Sequence, residues 1–148
     1  MTHMLLALSL SLAAAVPVIT LERGACYGTC PVYKLKIFAD GKVEFEGKEF
    51  VKQKGKAQGQ ITETALESLV REFEKINYLN LDNEYITEGP NCPEWWTDNP
   101  SATTSLNWKG KKKTVRHYHG CRGARVLEQL TALENKIDQV VNTKRWIE

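Results

Sequence analysis

Residues 32–47 read VYKLKIFADGKVEFEG, and the alternation in this stretch decides the fold. Tyr33, Leu35 and Ile37 alternate with Lys34 and Lys36, a period of two that gives a strand one apolar and one charged face. Asp40-Gly41 follows, a dipeptide suited to the positive φ angles of a type I′ turn. Val43 and Phe45 then resume the alternation, so the segment predicts an antiparallel β-hairpin half-buried against something else. With 148 residues, 42% of them apolar, the chain is one domain large enough for a core of its own.

Working toward the C-terminus, KQKGKAQGQ (52–60) is polar and glycine-bearing and reads as a loop or frayed edge. In TETALESLVREFEKI (62–76), Leu66, Leu69, Val70, Phe73 and Ile76 recur at helical spacing, and Thr64 with Glu67 suggests a capping box. Residues 77–99 show no period and contain Gly89, Pro90 and Pro93. So long an irregular segment needs anchoring by its own side chains or by a covalent bond, and Cys92, Trp95 and Trp96 are suited to that. A second hairpin is expected in TTSLNWKGKKKTVRHYH (103–119), turning at Lys109-Gly110. A second helix is expected in ARVLEQLTALENKIDQVVNT (124–143), with Val126, Leu130, Leu133, Ile137 and Val140 on one side. Two hairpins, each followed by a helix, make an α+β fold: an antiparallel sheet with two helices packed on one face.

Working toward the N-terminus, Met4–Val16 is an apolar run of thirteen residues ending in Ala13-x-Ala15. It is too short to span a bilayer and long enough for a signal-peptide core, although the flank MTH lacks Lys and Arg. The expected organisation is a signal peptide at 1–15 and a single domain at 16–148, periplasmic or secreted, with no transmembrane segment after cleavage. An oxidising compartment favours disulfides among the four cysteines. Of the three connectivities, Cys26–Cys30 with Cys92–Cys121 is expected.

His117, His119 and Cys121 are spaced two apart, so on a regular strand they share a face. If Val115 faces the core, both histidines do too; if Tyr118 does, both face solvent. Alternating histidines are a real metal-ligand geometry. With reduced Cys26 and Cys30 they would form a copper or zinc site of Cys26, Cys30, His117 and His119. The opposing reading has no cofactor, the cysteines being staples and the histidines ordinary core or surface residues. Nucleophile elbows, glycine-rich phosphate loops and His-Glu-x-x-His are absent from the sequence, so an enzyme is not expected. A thiol-redox or hydrolytic enzyme would need Cys26 or Cys30 as nucleophile, or Asp98, His117 and His119 converging near the Trp95–Trp96 loop.

The formal net charge is only +2, yet the charges are segregated. Nine carboxylates lie between Glu63 and Asp98, while 99–127 contains none and carries Lys109, Lys111, Lys112, Lys113, Arg116, Arg122 and Arg125. Either the two regions face each other or they are solvated, or the basic stretch receives an anionic partner. Trp95, Trp96, Asp98, Lys111, Lys112, Lys113 and Arg116 are the candidate binding surface. Export argues against nucleic acid and for an envelope protein or an anionic envelope component. A non-catalytic binding module of the cell envelope is the reading these features favour.

The run GACYGTCPVYKLKIFADGKVEFEG (24–47) resembles a bacterial family, domain of unknown function 6438, whose members open with C-[YF]-G-x-C-P-x-Y and continue through a strand and a D-G turn. Cys26, Gly28, Cys30, Pro31, Tyr33, Asp40, Gly41 and Gly47 fall on that pattern. DNPSATTSLNW, KTVRHYHG and Trp146 are similar to its weaker later blocks. The resemblance implies exported or lipid-anchored relatives and brings no activity with it. Cys92 and the His-x-His-x-Cys stretch depart from the pattern, so a Cys92–Cys121 bridge or a metal site on His117 would belong to this branch.

Overall fold

A computed structural model describes residues 15–148; residues 1–14, most of the expected signal peptide, lie outside the described residues. The elements run β1 (Ile19–Arg23), β2 (Val32–Ile37), β3 (Lys42–Glu49), β4 (Gly55–Gln60), α1 (Glu63–Lys75), a 3-10 turn (Tyr78–Asn80), β5 (Glu84–Tyr85), β6 (Glu94–Trp95), β7 (Ser101–Trp108), β8 (Lys111–Tyr118), β9 (Cys121–Arg122), α2 (Arg125–Val141) and α3 (Lys144–Ile147). Seven strands form one sheet in the order β4-β3-β2-β1-β7-β8-β5, and β6 pairs with β9 separately. The fold is α+β.

Alternation in the strands decides which side is covered. Ile19, Leu21, Tyr33, Leu35, Ile37, Val43, Phe45, Leu106 and Val115 are buried on one face. Against them pack Leu66, Leu69, Val70 and Phe73 of α1 and Leu127, Leu130, Leu133, Ile137 and Val141 of α2. The opposite face keeps Lys34, Lys36, Glu44 and Thr103 partly in water. Each fully buried aliphatic or aromatic side chain stabilises by about 1.5–3 kcal/mol, and this shared layer holds both helices on one side. α3 closes the β3–β4 end: Trp146 stacks on Phe45 with ring centroids 4.8 Å apart, and its carbonyl accepts from the Gln53 N–H.

Both expected hairpins form, but they are not neighbours in the way two repeated units would be. β1 lies between them, pairing with β2 on one side and β7 on the other. Of the two readings of 52–60, loop or frayed edge, the structure takes the second: residues 55–60 are an edge strand whose backbone completes the outer side of β3; an edge needs no apolar residues. The first hairpin does not turn through type I′. Only Gly41 has positive φ, +82°; Gly41 N–H donates to Phe38 and Phe38 N–H to Lys42, a type I turn closed by a left-handed glycine. The second does match type I′, with Lys109 and Gly110 at φ 49° and 78°. α1 is capped by Thr62, whose hydroxyl accepts from Ala65 N–H at 3.0 Å, in place of the expected Thr64–Glu67 box; the helix begins too early for Thr64 to cap it.

Candidate functional site: a His–Glu–His cluster beside a disulfide-braced cleft

Val115 faces the core, so the two-residue spacing carries His117 inward with it and leaves His119 just past the strand on the same side. α2 answers with Glu134, which sits in the middle of its apolar stripe and is only 1% exposed. His117 Nδ1 lies 2.7 Å from Glu134 Oε2, and His119 Nε2 lies 2.7 Å from Oε1. An ionised carboxylate only accepts, so both of these ring nitrogens carry the hydrogen. Burial by itself pushes the Glu134 carboxyl up; the hydrogen bonds from His117 and His119 and the favourable electrostatics of those two rings outweigh it and hold the group below the ordinary glutamate range. The two imidazoles lie with centroids 4.5 Å apart and planes 38° from parallel.

One helical turn further on, Asp138 completes a second polar cluster. It accepts from Arg23 Nε at 2.9 Å and from the Tyr33 hydroxyl at 2.8 Å, and Arg23 also reaches Asn135 Oδ1 at 3.1 Å. Desolvation works against the Arg23 charge, but Asp138 outweighs it, and the net shift is upward. α2 is therefore fastened to the sheet by two carboxylates, Glu134 and Asp138, each clasped by donors from strands or, for His119, from the residue just after one.

Beside the first cluster opens a cleft of about 660 Å³, walled by His117, His119, Asn99, Pro100, Arg122 and the α2 residues Glu128, Thr131 and Asn135, among others. Its rim is covalently braced. Cys92 and Cys121 form one disulfide and Cys26 and Cys30 the other, so all four cysteines are paired. The five-residue Cys26–Cys30 ring needs Gly28 at φ +146° and holds Tyr27 out in solvent, 87% exposed. Tyr27 N–H donates to Asp98 O, next to the cleft-lining Asn99. Trp95 (47% exposed) and Trp96 (56%) lie at the same end. Trp95 packs on Tyr118, whose hydroxyl donates to Trp96 O, and Arg122 lies over the Trp96 ring at 5.9 Å.

Tyr27, Trp95, Trp96 and Asp98 are thus brought to one end of the sheet, with Arg122. The lysine-rich stretch is not. Lys111 and Lys112 are exposed near the tip of the second hairpin. Lys113 bonds Leu81 O and Asn83 Oδ1, and Arg116 pairs with Glu84 at 3.1 Å. The basic strand therefore faces part of the acidic segment, with Lys112, Lys113 and Arg116 grouped around Asn83 and Glu84. Asp98 is not among the residues lining the cleft with His117 and His119. The four-residue set of Cys26, Cys30, His117 and His119 is also corrected: both sulfurs are bonded to each other and offer no thiolate. The histidines find Glu134 instead.

A family model described as Domain of unknown function (DUF6438) matches residues 17–141. The chain belongs to that family. The DUF6438 match opens two residues before β1 and ends on the last residue of α2, so it takes in the whole sheet, both disulfides and the His–Glu–His cluster. No curated protein matches the chain. Within this DUF6438 domain the residue that the sequence did not single out is Glu134. Its signal was present: it falls between Leu130 and Ile137 on the buried stripe, where a carboxylate requires partners.

Proposed function

We propose that this DUF6438 domain is an exported, non-catalytic binding module of the cell envelope, working in the periplasm or outside the cell, and that it grips an envelope protein or anionic envelope component at the aromatic end of the sheet. The observation that carries this reading is the exposure of Tyr27, Trp95 and Trp96 on segments braced by two disulfides, with the Arg122 guanidinium beside them. Such side chains are costly to leave in water, and rigid aromatics with an arginine are the residue types that dominate binding energy. Bracing matters because loops already held in place lose less entropy when a partner docks. The small Cys26–Cys30 ring fits this role better than a stabilising one, since closing five residues constrains the unfolded chain little. Two observations support the non-catalytic part. No sulfur is free to act as a nucleophile, and Asp98 stands apart from the histidines.

The test is co-sedimentation of the oxidised protein with isolated envelope polymer and, separately, with vesicles containing anionic lipid. The expected result is binding to one of them that falls at least tenfold in Tyr27→Ala/Trp96→Ala and is unchanged in Lys112→Ala. Binding to neither, or equal binding by the two variants, contradicts the proposal.

A further inference from the structure

A buried carboxylate shared by two imidazoles has a consequence for metal chemistry. Each histidine donates one ring N–H to Glu134, and this fixes its tautomer: the lone pair is left on His117 Nε2 and on His119 Nδ1. Among the described residues neither of those nitrogens has a hydrogen-bond partner, yet no side-chain nitrogen or oxygen that is fully buried lacks one. Both nitrogens therefore keep some exposure, on two residues that line the cleft. A polar cluster serving only to fasten α2 would satisfy these atoms inside the protein. Here the outward nitrogens are left available, on a residue, His117, that is otherwise 2% exposed.

We propose that His117 and His119, oriented by Glu134, bind one divalent transition-metal ion of the zinc or copper kind at the wall of the cleft. The proposal stands independently of the aromatic surface above. Imidazole is a preferred ligand of both ions, at about 2.0–2.1 Å, so two nitrogens on one ion lie roughly 3.3–4 Å apart. The two rings are immediate neighbours, their centroids 4.5 Å apart and their planes 38° from parallel. One donor atom from each of His117, His119 and Glu134 lies within 4.8 Å of the others, so the three residues form one compact cluster at the wall of the cleft. The carboxylate behind the histidines supplies the recurrent outer partner of metal-bound imidazole, fixing the ring orientation and raising its basicity. In the neutral form of each ring, the hydrogen bond to Glu134 leaves the lone pair on the nitrogen that points away from the carboxylate. The cleft leaves the remaining coordination positions to water or to a bound partner.

Isothermal titration of the oxidised, chelator-stripped full-length chain with zinc chloride, and separately with copper(II) chloride, tests this. His3 is the third histidine in the sequence and is controlled for by His3→Ala. The expected result is one equivalent of at least one ion bound with micromolar or tighter Kd, unchanged in His3→Ala. His119→Ala should weaken that Kd at least tenfold, and Glu134→Gln between about 10- and 100-fold. His119→Ala also removes one donor from the buried Glu134 carboxylate, so it should melt below wild type; a wild-type circular dichroism spectrum at the titration temperature and four unreactive cysteines separate ligand loss from misfolding. As a second readout, the ring-proton resonances of His117 and His119 should shift or broaden on saturation. Absence of binding by either ion, loss of binding in His3→Ala, or an unchanged Kd in a folded His119→Ala would overturn the proposal.

Discussion

Removing the two disulfides one at a time should separate bracing from stabilisation. Cys92 and Cys121 are 29 positions apart and Cys26 and Cys30 only 4. In the chain-entropy treatment, opening the larger loop costs about 3.5 kcal/mol and opening the smaller about 2 kcal/mol. For a domain of about 130 residues, an unfolding entropy near 2.1 cal/mol/K per residue converts these to drops in Tm of about 13 °C and about 7 °C. Burial widens the gap. Cys92 and Cys121 are each 2% exposed, so alanines there leave unfilled space in the core, whereas Cys26 and Cys30 are half-buried at the surface. The assay is thermal and urea unfolding of Cys92→Ala/Cys121→Ala and Cys26→Ala/Cys30→Ala, followed by circular dichroism. If the Cys26/Cys30 variant is the less stable of the two, the view of that ring as a device for presenting Tyr27 is refuted.

Other consequences follow from single contacts. Tyr33→Phe removes the hydroxyl that donates to Asp138 and should cost about 1.5–2 kcal/mol by urea unfolding; a change within 0.3 kcal/mol or so would show the bond carries no net stability. Burial raises the phenols of Tyr33 and Tyr78 above the ordinary tyrosine value, and for Tyr33 the Asp138 charge adds to it. The fold therefore favours the neutral phenols, so their contribution is intact below about pH 10 and is lost as pH climbs beyond it. In an alkaline titration the last tyrosines should ionise, by absorbance, only together with the loss of circular dichroism; full ionisation of a folded protein would contradict this. Gly41 and Gly110 both have positive φ, but a Cβ on Gly41 would collide with the Ile61 carbonyl while one on Gly110 meets open space. Gly110→Ala should cost about 1–2 kcal/mol, and Gly41→Ala clearly more; equal urea midpoints would count against the packing argument.

Much of this architecture was legible because strong periodicities coincided with unambiguous punctuation. The 32–47 hairpin, both amphipathic helices and the two disulfide pairs follow from alternation, helical spacing and cysteine arithmetic. β1 was not legible. Its five residues adjoin the apolar run 4–16, and that run masks the alternation of Ile19 and Leu21 with Thr20 and Glu22. β4 was legible only as a choice between loop and frayed edge, for the opposite reason: Gly55–Gln60 has almost no apolar content and is a strand only because β3 offers it an unpaired edge. At the site, strand parity left two orientations for His117 and His119, and nothing local to them decides between those. The decision comes from α2, 15 and 17 positions away, where Glu134 meets both rings. A tertiary pairing of this kind leaves only a faint trace, a glutamate on an apolar stripe.

The premise beneath both proposals is that the chain matures in an oxidising compartment. Its most direct test is intact-mass measurement of the protein from its native compartment, after alkylation without reductant. The account predicts a chain beginning near residue 16 that carries no alkyl groups and is four hydrogens lighter than its reduced form. A chain beginning at Met1 with four alkylated cysteines would contradict it.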